Sequence, residues 1–510
     1  MFTPFDQRSV EPDMGDRRPH AVVIGSGLGG LAAAIRLGAR GYRVTVYESL
    51  DQPGGRASVF RQDGFTFDAG PTIITAPFVL EELWSQAKRK VADDLKLIAL
   101  DPFYDIRFHD GTVFTCGPDP ARMKEAVRAL SPGDVAGYER FMAESEKIYR
   151  IGFEQLGHVP FGSPMDMVKI APDLLKLGGW RSVWNHVSSC VKDHRLRVAL
   201  SFHPLFIGGN PFSVTAIYSM IAFLERQFGV HFAVGGTGAL VQAMAKLVTL
   251  TGGTIAYNTK VDEILCDGSK ASGVKLADGR EVKASIVVSN AETAFTYTHL
   301  LRNAPRKRWT DAKMKRARYS MSLFVWYFGT RKRYDNVRHH TIMMGPRYKE
   351  LLHDIFKRKH LAEDFSLYLH RPTATDPSLA PEGCDAFYVL SPVPHQDSGI
   401  DWKTRAPRYK AAIAAHLENT VLPGFTQHIV TEKLITPIDF EQRLLSFKGA
   451  AFGLEPVLLQ SAWFRPNNKS EDIANFFLVG AGTHPGAGIP GVISSARILD
   501  TVVPDAAAFA

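Results

Sequence analysis

The first apolar stretches of the chain follow a strand, helix, strand order. Residues 21–24 form a short apolar run, residues 31–40 are alanine-rich with helical character, and residues 42–47 are rich in β-branched and aromatic side chains. A short apolar run, a helical segment and a second such run are typical of a βαβ unit. The pattern therefore predicts an α/β fold that begins near Ala21.

Further strand-like stretches come in the middle and at the end of the chain. Four short strands are predicted at residues 254–258, 261–265, 273–276 and 281–288. Asp278-Gly279 forms a hairpin turn between the last two, and residues 476–479 form one more strand before glycine-rich turns. Residues 80–230 are mostly helical in pattern, and residues 291–450 mix strands with proline-rich loops. We therefore expect a nucleotide-binding sheet assembled from separated segments, with substrate-binding parts between them.

The composition is that of a globular protein with an excess of positive charge. Of the 510 residues, 45% are hydrophobic and 22% are charged, and the net charge is +8. The length suggests two or three domains. Basic clusters at residues 88–90, 306–308, 331–333 and 357–359 attract anionic lipid headgroups or nucleic acid, or are simply solvated faces. We expect an anionic membrane surface as a partner and no nucleic acid.

The cysteines and the chain's first residues bear on its compartment. Cys116, Cys190, Cys266 and Cys384 are far apart and form no CxxC pair, which indicates neither a disulfide framework nor a metal site and fits a reducing compartment. Residues 1–20 contain no apolar run, so they predict a mobile arm rather than a signal peptide. No run of 18 apolar residues is present, so any membrane contact should be peripheral. The expected location is cytoplasmic, at the membrane surface.

A glycine-rich turn follows the first strand. Residues 25–30 match the motif GxGxxG directly before the helix. The glycines of this turn are Gly25, Gly27, Gly29 and Gly30. Gly25 permits the tight turn, Gly27 lets the backbone approach a pyrophosphate, and Gly30 allows close packing of helix and strand. Glu48 lies 23 residues after Gly25, where its carboxylate can bind adenosine ribose hydroxyls. These features predict a dinucleotide site.

Two further segments favour FAD over NAD. Gly54, Gly55 and Arg56 offer exposed amides and a guanidinium within reach of a pyrophosphate. The glycine-rich stretch at residues 480–491 follows a strand, and the helix after it would point its positive end at the flavin's N1–C2=O region. The remaining residues of the predicted FAD site are Val261, Gly482, Thr483, Gly488 and Ile489.

These motifs together resemble the bacterial and fungal phytoene desaturases, carotenoid-forming members of the FAD-dependent amine oxidase-like superfamily. The matching segments are PGGRA at 53–57, DGFTFDAGPT at 63–72, GGNPF at 208–212, GGTGALV at 235–241, EDFSLYLH at 363–370, QSAWFRP at 460–466 and LVGAGTHPGAGIPGV at 478–492. The resemblance spans residues 21–500. It implies FAD as the sole redox cofactor, a C40 polyene substrate (phytoene), a peripheral membrane habit and a product of the neurosporene or lycopene type, with quinone or oxygen as the electron acceptor.

The resemblance also implies a domain organisation. A Rossmann-like FAD-binding domain of the amine oxidase type would combine residues 21–80, 230–290 and 451–510. Residues 81–229 would form a helical lid or membrane-facing region, and residues 291–450 a substrate-binding domain of mixed sheet. The N-terminal arm is longer than the family needs, and no motif determines how many desaturations occur.

The sequence offers few groups to handle a proton. Asp166 and Lys169 lie where the family carries an acidic and a basic residue proposed to face the substrate, although lysine stands here in place of arginine; a surface ion pair is the alternative. His203 and His484 are secondary candidates. No Ser-His-Asp set or metal-ligand spacing emerges. Apolar residues recur at helical spacing over 167–187, which fits either an interfacial helix or a buried one.

Three alternative functions remain open from the sequence. One is another carotenoid desaturase of the hydroxyneurosporene type, or a carotene isomerase. The second is an amine or protoporphyrinogen oxidase. The third is a non-catalytic lipid-binding relative like the Rab GDP-dissociation inhibitors, against which the intact Gly54-Gly55-Arg56 and Gly482 to Gly491 segments argue.

Overall fold

The computed structural model describes residues 16–509. Its helices are α1 (Leu28–Ala39), α2 (Pro77–Gln86), α3 (Pro120–Leu130), α4 (Val135–Tyr149), α5 (Pro164–Lys176), α6 (Val183–Cys190), α7 (His194–Ser201), α8 (Met220–Phe228), α9 (Thr237–Leu250), α10 (Thr293–Phe295), α11 (Asp311–Arg316), α12 (Tyr348–His353), α13 (Trp402–Thr420), α14 (Pro437–Gln442), α15 (Ile489–Arg497) and α16 (Leu499–Val502). The predicted N-terminal arm lies outside the described residues except for residues 16–20.

The strands divide among two large sheets and three small ones. They are β1 (His20–Ile24), β2 (Arg43–Tyr47), β3 (Val59–Gln62), β4 (Phe65–Asp68), β5 (Leu97–Ala99), β6 (Tyr104–Phe108), β7 (Val113–Cys116), β8 (His231–Ala233), β9 (Thr254–Ala256), β10 (Val261–Asp267), β11 (Lys270–Leu276), β12 (Glu281–Lys283), β13 (Ile286–Ser289), β14 (Ser322–Thr330), β15 (His340–Met344), β16 (Leu367–His370), β17 (Asp385–Val393), β18 (Ile429–Ile435) and β19 (Phe476–Leu478).

The first large sheet is parallel and has the strand order β19-β13-β1-β2-β9. Every residue of the central strand β1 is buried, as expected of a parallel strand with both faces covered. Helix α1 packs against α9 and α15 beside this sheet. The predicted α/β class is confirmed, and strands from the start, middle and end of the chain share one sheet.

One predicted strand is wrong in its extent. Residues 281–288 were expected to form a single strand, but β12 joins the antiparallel β10-β11-β12 sheet while β13 joins the parallel sheet. The chain changes sheets between them, where Ala284 N donates to Ser272 O and Ser285 N donates to His20 O. The apolar pattern runs through this crossing, so it could not show the change of partner.

The second large sheet has seven strands and is mostly antiparallel. Its order is β18-β14-β17-β16-β15-β6-β7, and β14 is buried along its whole length. The stretch 80–230, which we expected to be mostly helical, contributes β6 and β7 to this sheet. β6 pairs in parallel with β15 from the distant segment 340–344, a long-range contact that local periodicity does not reveal.

The predicted amphipathic stretch 167–187 is divided between two helices with different surroundings. Helix α5 has no buried residue, whereas Val183 and Val187 of α6 are buried. The buried interpretation therefore holds for α6, whereas the interfacial interpretation of α5 remains a prediction. Within residues 16–509, no helix combines the length and apolar character needed to cross a membrane.

Candidate functional site

The glycine-rich turn lies at the carboxyl end of β1. Gly25 has a φ of +88°, and its N–H donates to Tyr47 O at 2.8 Å, which joins the turn to β2. A Cβ on Gly30 would lie 2.0 Å from Gly25 O, so only glycine lets α1 pack this closely on the turn. The structure thus gives Gly25 and Gly30 the geometry that the sequence predicted for them.

Glu48 ends β2 and holds the turn in shape. Its side chain is buried, with 4% of its surface exposed. One carboxylate oxygen, Oε2, accepts hydrogen bonds from Ser26 N at 2.8 Å and Ser26 Oγ at 2.7 Å. The other, Oε1, accepts from Leu50 N at 2.9 Å. Glu48 also lines a large cavity beside the turn, where an adenosine ribose would meet its carboxylate.

The second glycine pair sits against the first turn. Gly54 and Gly55 both have positive φ values, +116° and +54°, and Gly54 N donates to Ser26 O at 2.9 Å. Arg56 then points into the cavity wall, where burial lowers the pKa of its guanidinium and the nearby Glu292 carboxylate opposes that shift. Its hydrogen bond to the Ser446 hydroxyl, at 3.2 Å, leaves most of its donor capacity unused.

The C-terminal glycine turn closes the opposite side of the cleft. A Cβ on Gly482 would lie 1.5 Å from Thr293 Oγ1, so the turn can pass Thr293 only with glycine there. Gly488, with a φ of +93°, precedes the first residue of α15, Ile489. The free N–H groups at the start of α15 are therefore presented to the cavity.

His484 occupies the same turn but faces away from the cleft. Its Nε2 lies 2.9 Å from Leu156 O, and burial lowers its pKa to about 4. The neutral His484 imidazole, hydrogen-bonded to a backbone carbonyl, is thus suited to a structural role. His484 does not line the central cavity.

One cavity of about 480 Å³ connects the dinucleotide cleft with an apolar chamber. The cleft end is formed by the two glycine turns, Glu48 and Arg56. The chamber is walled mainly by apolar side chains of the second sheet and of the helical region: Phe202, Leu205, Phe206, Ile221, Leu224, Met321, Leu323, Val325, Ile342, Leu367, Leu390 and Leu444. A long apolar ligand would be desolvated there, directly beside the cofactor cleft.

Most predicted FAD-site residues line this cavity, but some do not. Those that line it are Gly25, Gly27, Glu48, Gly54, Gly55, Arg56, Val261, Gly482, Gly488 and Ile489. Gly29, Gly30 and Thr483 lie behind it: Gly29 and Gly30 pack against backbone, and the buried Thr483 hydroxyl donates to Pro466 O at 2.6 Å. The FAD contacts of all thirteen residues remain predictions.

Asp166 and Lys169 lie at the start of α5 and not in the cavity wall. Asp166 Oδ2 accepts a hydrogen bond from Ser163 N at 2.9 Å, which forms part of a helix cap. Lys169 Nζ lies 3.8 Å from Asp166 Oδ1, and 72% of the lysine side chain is exposed. Their proposed contact with substrate remains a prediction that this arrangement does not support.

The sequence missed a group of polar side chains in the wall of the apolar chamber. Thr72 Oγ1 lies 2.9 Å from the Tyr368 hydroxyl and 2.8 Å from that of Tyr388, and Tyr368 lies 2.7 Å from His340 Nδ1. Ring nitrogens of His339, His340 and His370 approach within 4.8 Å of one another. His340 and His370 belong to this hydrogen-bond network, since their Nδ1 atoms are 3.3 Å apart, whereas His339 Nδ1 lies 2.6 Å from Thr375 Oγ1.

The cleft fits FAD on three observations. Glycines such as Gly25, Gly55 and Gly488 line the cleft with positive φ values, so that backbone without a side chain faces the space where a cofactor would lie. The half-buried Arg56 guanidinium at the cleft has one neutral hydrogen-bond partner, and pyrophosphate oxygens would satisfy the rest. The start of α15 presents N–H groups that would meet the flavin's N1–C2=O edge.

Comparisons with known proteins agree with this geometry. A family model described as flavin containing amine oxidoreductase matches residues 28–498. A neurosporene-forming phytoene desaturase of Cereibacter sphaeroides is 52% identical over 491 residues, 95% of this chain and 95% of that one. A lycopene-forming phytoene desaturase of Pantoea ananas is 48% identical over 476 residues, 93% of this chain and 97% of that one.

A solved structure supports the fold alone. An oxidoreductase from Methanosarcina mazei superposes with a TM-score of 0.62 at 17% identity, over 95% of this chain and 100% of that one. At this identity the likeness concerns the arrangement of elements and not the substrate.

Proposed function

The chain belongs to the flavin-containing amine oxidoreductase family and, within it, to the phytoene desaturases, and from this premise we propose that it converts 15-cis-phytoene, through phytofluene and ζ-carotene, to neurosporene or lycopene. FAD is its cofactor. The observation that carries the proposal is the single cavity, which joins a dinucleotide cleft to an apolar chamber.

The cofactor would be held by residues at both ends of the cleft. The Gly25 to Gly30 turn and the start of α1 would bind the pyrophosphate, Glu48 the adenosine ribose, and α15 the flavin ring. Bound FAD supplies the acceptor for a hydride leaving the polyene. The protein must then hold an apolar chain beside the cleft and exclude water from it.

The apolar chamber can hold the polyene beside the cleft by burial alone. Phytoene carries no polar group, so its binding free energy comes from removing apolar surface from water, at about 25 cal/mol per Å². Side chains such as Phe206, Leu323 and Ile342 line the walls at positions fixed by the second sheet. Their placement sets which carbon pair lies beside the cleft.

The membrane contact is a proposal of its own, centred on helix α5 and the loop after it. Met165, Val168, Leu175 and Trp180 are exposed, Trp180 by 66%. Arg181 stacks 5.0 Å from the Trp180 ring centroid, a pair suited to a headgroup boundary. We expect this surface to dock on the cytoplasmic face of an anionic membrane, from which the substrate enters and where a quinone or oxygen reoxidises the cofactor.

The function is tested with phytoene dissolved in liposomes. FAD-loaded protein should convert phytoene to more unsaturated carotenes that absorb in the visible, in amounts that chromatography can follow. Omitting quinone under anaerobic conditions should stop the reaction after stoichiometric reduction of the flavin. Unchanged phytoene with FAD bound and an acceptor present would contradict the proposal.

A further inference from the structure

Three acidic residues line the cavity, and two of them have other roles. Glu48 is held by hydrogen bonds from the glycine turn. Glu292 caps a helix through Oε2, which accepts from Phe295 N at 2.9 Å, and its charge lies beside Arg56; its buried Oε1 has no hydrogen-bond partner among the described residues. The third is Glu225 on α8, in the wall of the apolar chamber. It is buried, with 2% of its surface exposed.

Glu225 reaches the cavity through the geometry of its helix. Ile221 and Leu224 line the chamber, and Glu225 follows Ile221 by four residues, so the three side chains share one face of α8. Glu225 thus lies in the wall of the apolar chamber that would hold the polyene. A buried carboxylate in such surroundings needs partners, because an isolated charge there would be strongly destabilising.

Two side chains supply those partners. The Tyr104 hydroxyl donates to Glu225 Oε2 at 2.7 Å, and His203 Nε2 lies 3.4 Å from the same oxygen and 3.2 Å from the Tyr104 hydroxyl. Burial, together with the Glu225 carboxylate, raises the pKa of Tyr104 well above its usual range, so the phenol remains a donor. Since the Tyr104 hydroxyl proton goes to Glu225, His203 Nε2 is the donor in its contacts with these two side chains.

The same short helix that carries His203 also contacts the flavin turn. It runs from His203 to Ile207, and a Cβ on Gly488 would lie 3.4 Å from Ile207 Cγ2. A 3₁₀ helix rises about 2 Å per residue, so His203 is about 8 Å along the helix from the residue that touches the turn. His203, a partner of Glu225, therefore lies on the same short helix as a residue that touches the flavin turn.

We propose that Glu225 accepts the proton lost from the substrate in each desaturation, with Tyr104 and His203 as positioning residues. This rests on the proposed function. One carbon loses hydrogen with its electron pair, as a hydride, to oxidised FAD. The Glu225 carboxylate takes the proton from the adjacent carbon, and the electron pair of that C–H bond becomes the second bond of the new C=C. The proton leaves Glu225 when the electron acceptor takes up the two electrons and protons of the completed desaturation, which regenerates the carboxylate for the next turnover.

The test compares Glu225→Gln with wild type on phytoene liposomes, with FAD content and melting temperature measured on each preparation. Removing a general base lowers turnover by 100-fold or more in order of magnitude. We expect that loss in kcat with KM within threefold of wild type, and Glu225→Asp should recover at least tenfold over the glutamine variant. Asp134→Asn is the matched control: this buried carboxylate accepts from Lys192 N and Asp193 N away from the cavity.

The outcomes separate this inference from the proposed function. A wild-type protein that leaves phytoene unchanged would refute the function itself. A Glu225→Gln variant that keeps FAD and turns over within threefold of wild type would overturn the role of Glu225. Where that variant loses FAD, Tyr104→Phe decides: a three- to tenfold lower kcat at unchanged KM supports the cluster, and an unchanged kcat overturns it.

Discussion

Replacing Glu48 with glutamine should weaken FAD binding far more than it weakens binding of FMN. In the structure the carboxylate accepts bonds from two backbone N–H groups, Ser26 N at 2.8 Å and Leu50 N at 2.9 Å, and from the Ser26 hydroxyl. A glutamine amide has one oxygen, so its NH₂ group must face one of these donors. The change disturbs the turn and removes the negative charge that an adenosine ribose would meet.

The size of the effect follows from the bonds involved. A hydrogen bond to a charged group contributes about 1.5–3 kcal/mol. Losing the ribose interaction and straining the turn together should cost about 3 kcal/mol, which raises the Kd for FAD roughly 150-fold. FMN has no adenosine ribose, so its Kd should rise only by the part of this free-energy cost that strain in the turn causes.

Titration of apoprotein with each flavin, followed by fluorescence, measures this directly. Glu281→Gln is a suitable control because Glu281 is an exposed residue of β12. A Glu48→Gln variant whose Kd for FAD stays within threefold of wild type would refute the assignment of the ribose to this carboxylate. An equal loss for FAD and FMN would show that only the turn had changed.

Three further changes test other parts of the account. Asp166→Asn should lower kcat less than threefold if Asp166 only caps α5, and a loss above tenfold would support its predicted catalytic role. Replacing both Met165 and Trp180 with serine should reduce partition onto anionic vesicles roughly 150-fold or more, since burying each large apolar side chain contributes about 1.5–3 kcal/mol; Leu250→Ser, at an exposed leucine on α9, should leave vesicle binding unchanged. Burial lowers the pKa of His484 from its ordinary 6.5 to about 4 in the folded protein. Between these two pH values, the unfolded chain therefore binds a proton that the folded chain does not. Stability should fall as pH drops from 7 to 5, by about 2 kcal/mol through this residue, and His484→Gln should flatten that part of the unfolding profile.

The cofactor cleft was largely predictable because its chemistry is local. Gly25, Gly27 and Glu48 belong to one strand, turn, helix and strand unit, where spacing along the chain determines position in space. Gly482 and Gly488 could be added because glycine-rich turns before a helix have a recognisable composition. The structure places these five residues on one cavity.

The chamber was less predictable because its parts meet only through long-range contacts. Tyr104 on β6 and Glu225 on α8 are 121 residues apart along the chain, and no local pattern pairs them. Glu225 lies on an amphipathic helix, where a single charged residue does not by itself indicate a site. His340 and His370 come together because β15 pairs with β16. Asp166, by contrast, was chosen by resemblance, and the structure places it on an exposed helix.

Anaerobic mixing of FAD-loaded protein with phytoene liposomes tests the central claim most directly. Without an acceptor, each flavin can take one pair of electrons. The account predicts bleaching of the oxidised flavin absorbance with formation of one equivalent of a carotenoid carrying one more double bond, phytofluene in the first turnover. Flavin that stays oxidised in the presence of phytoene, in protein that retains its FAD, would contradict it.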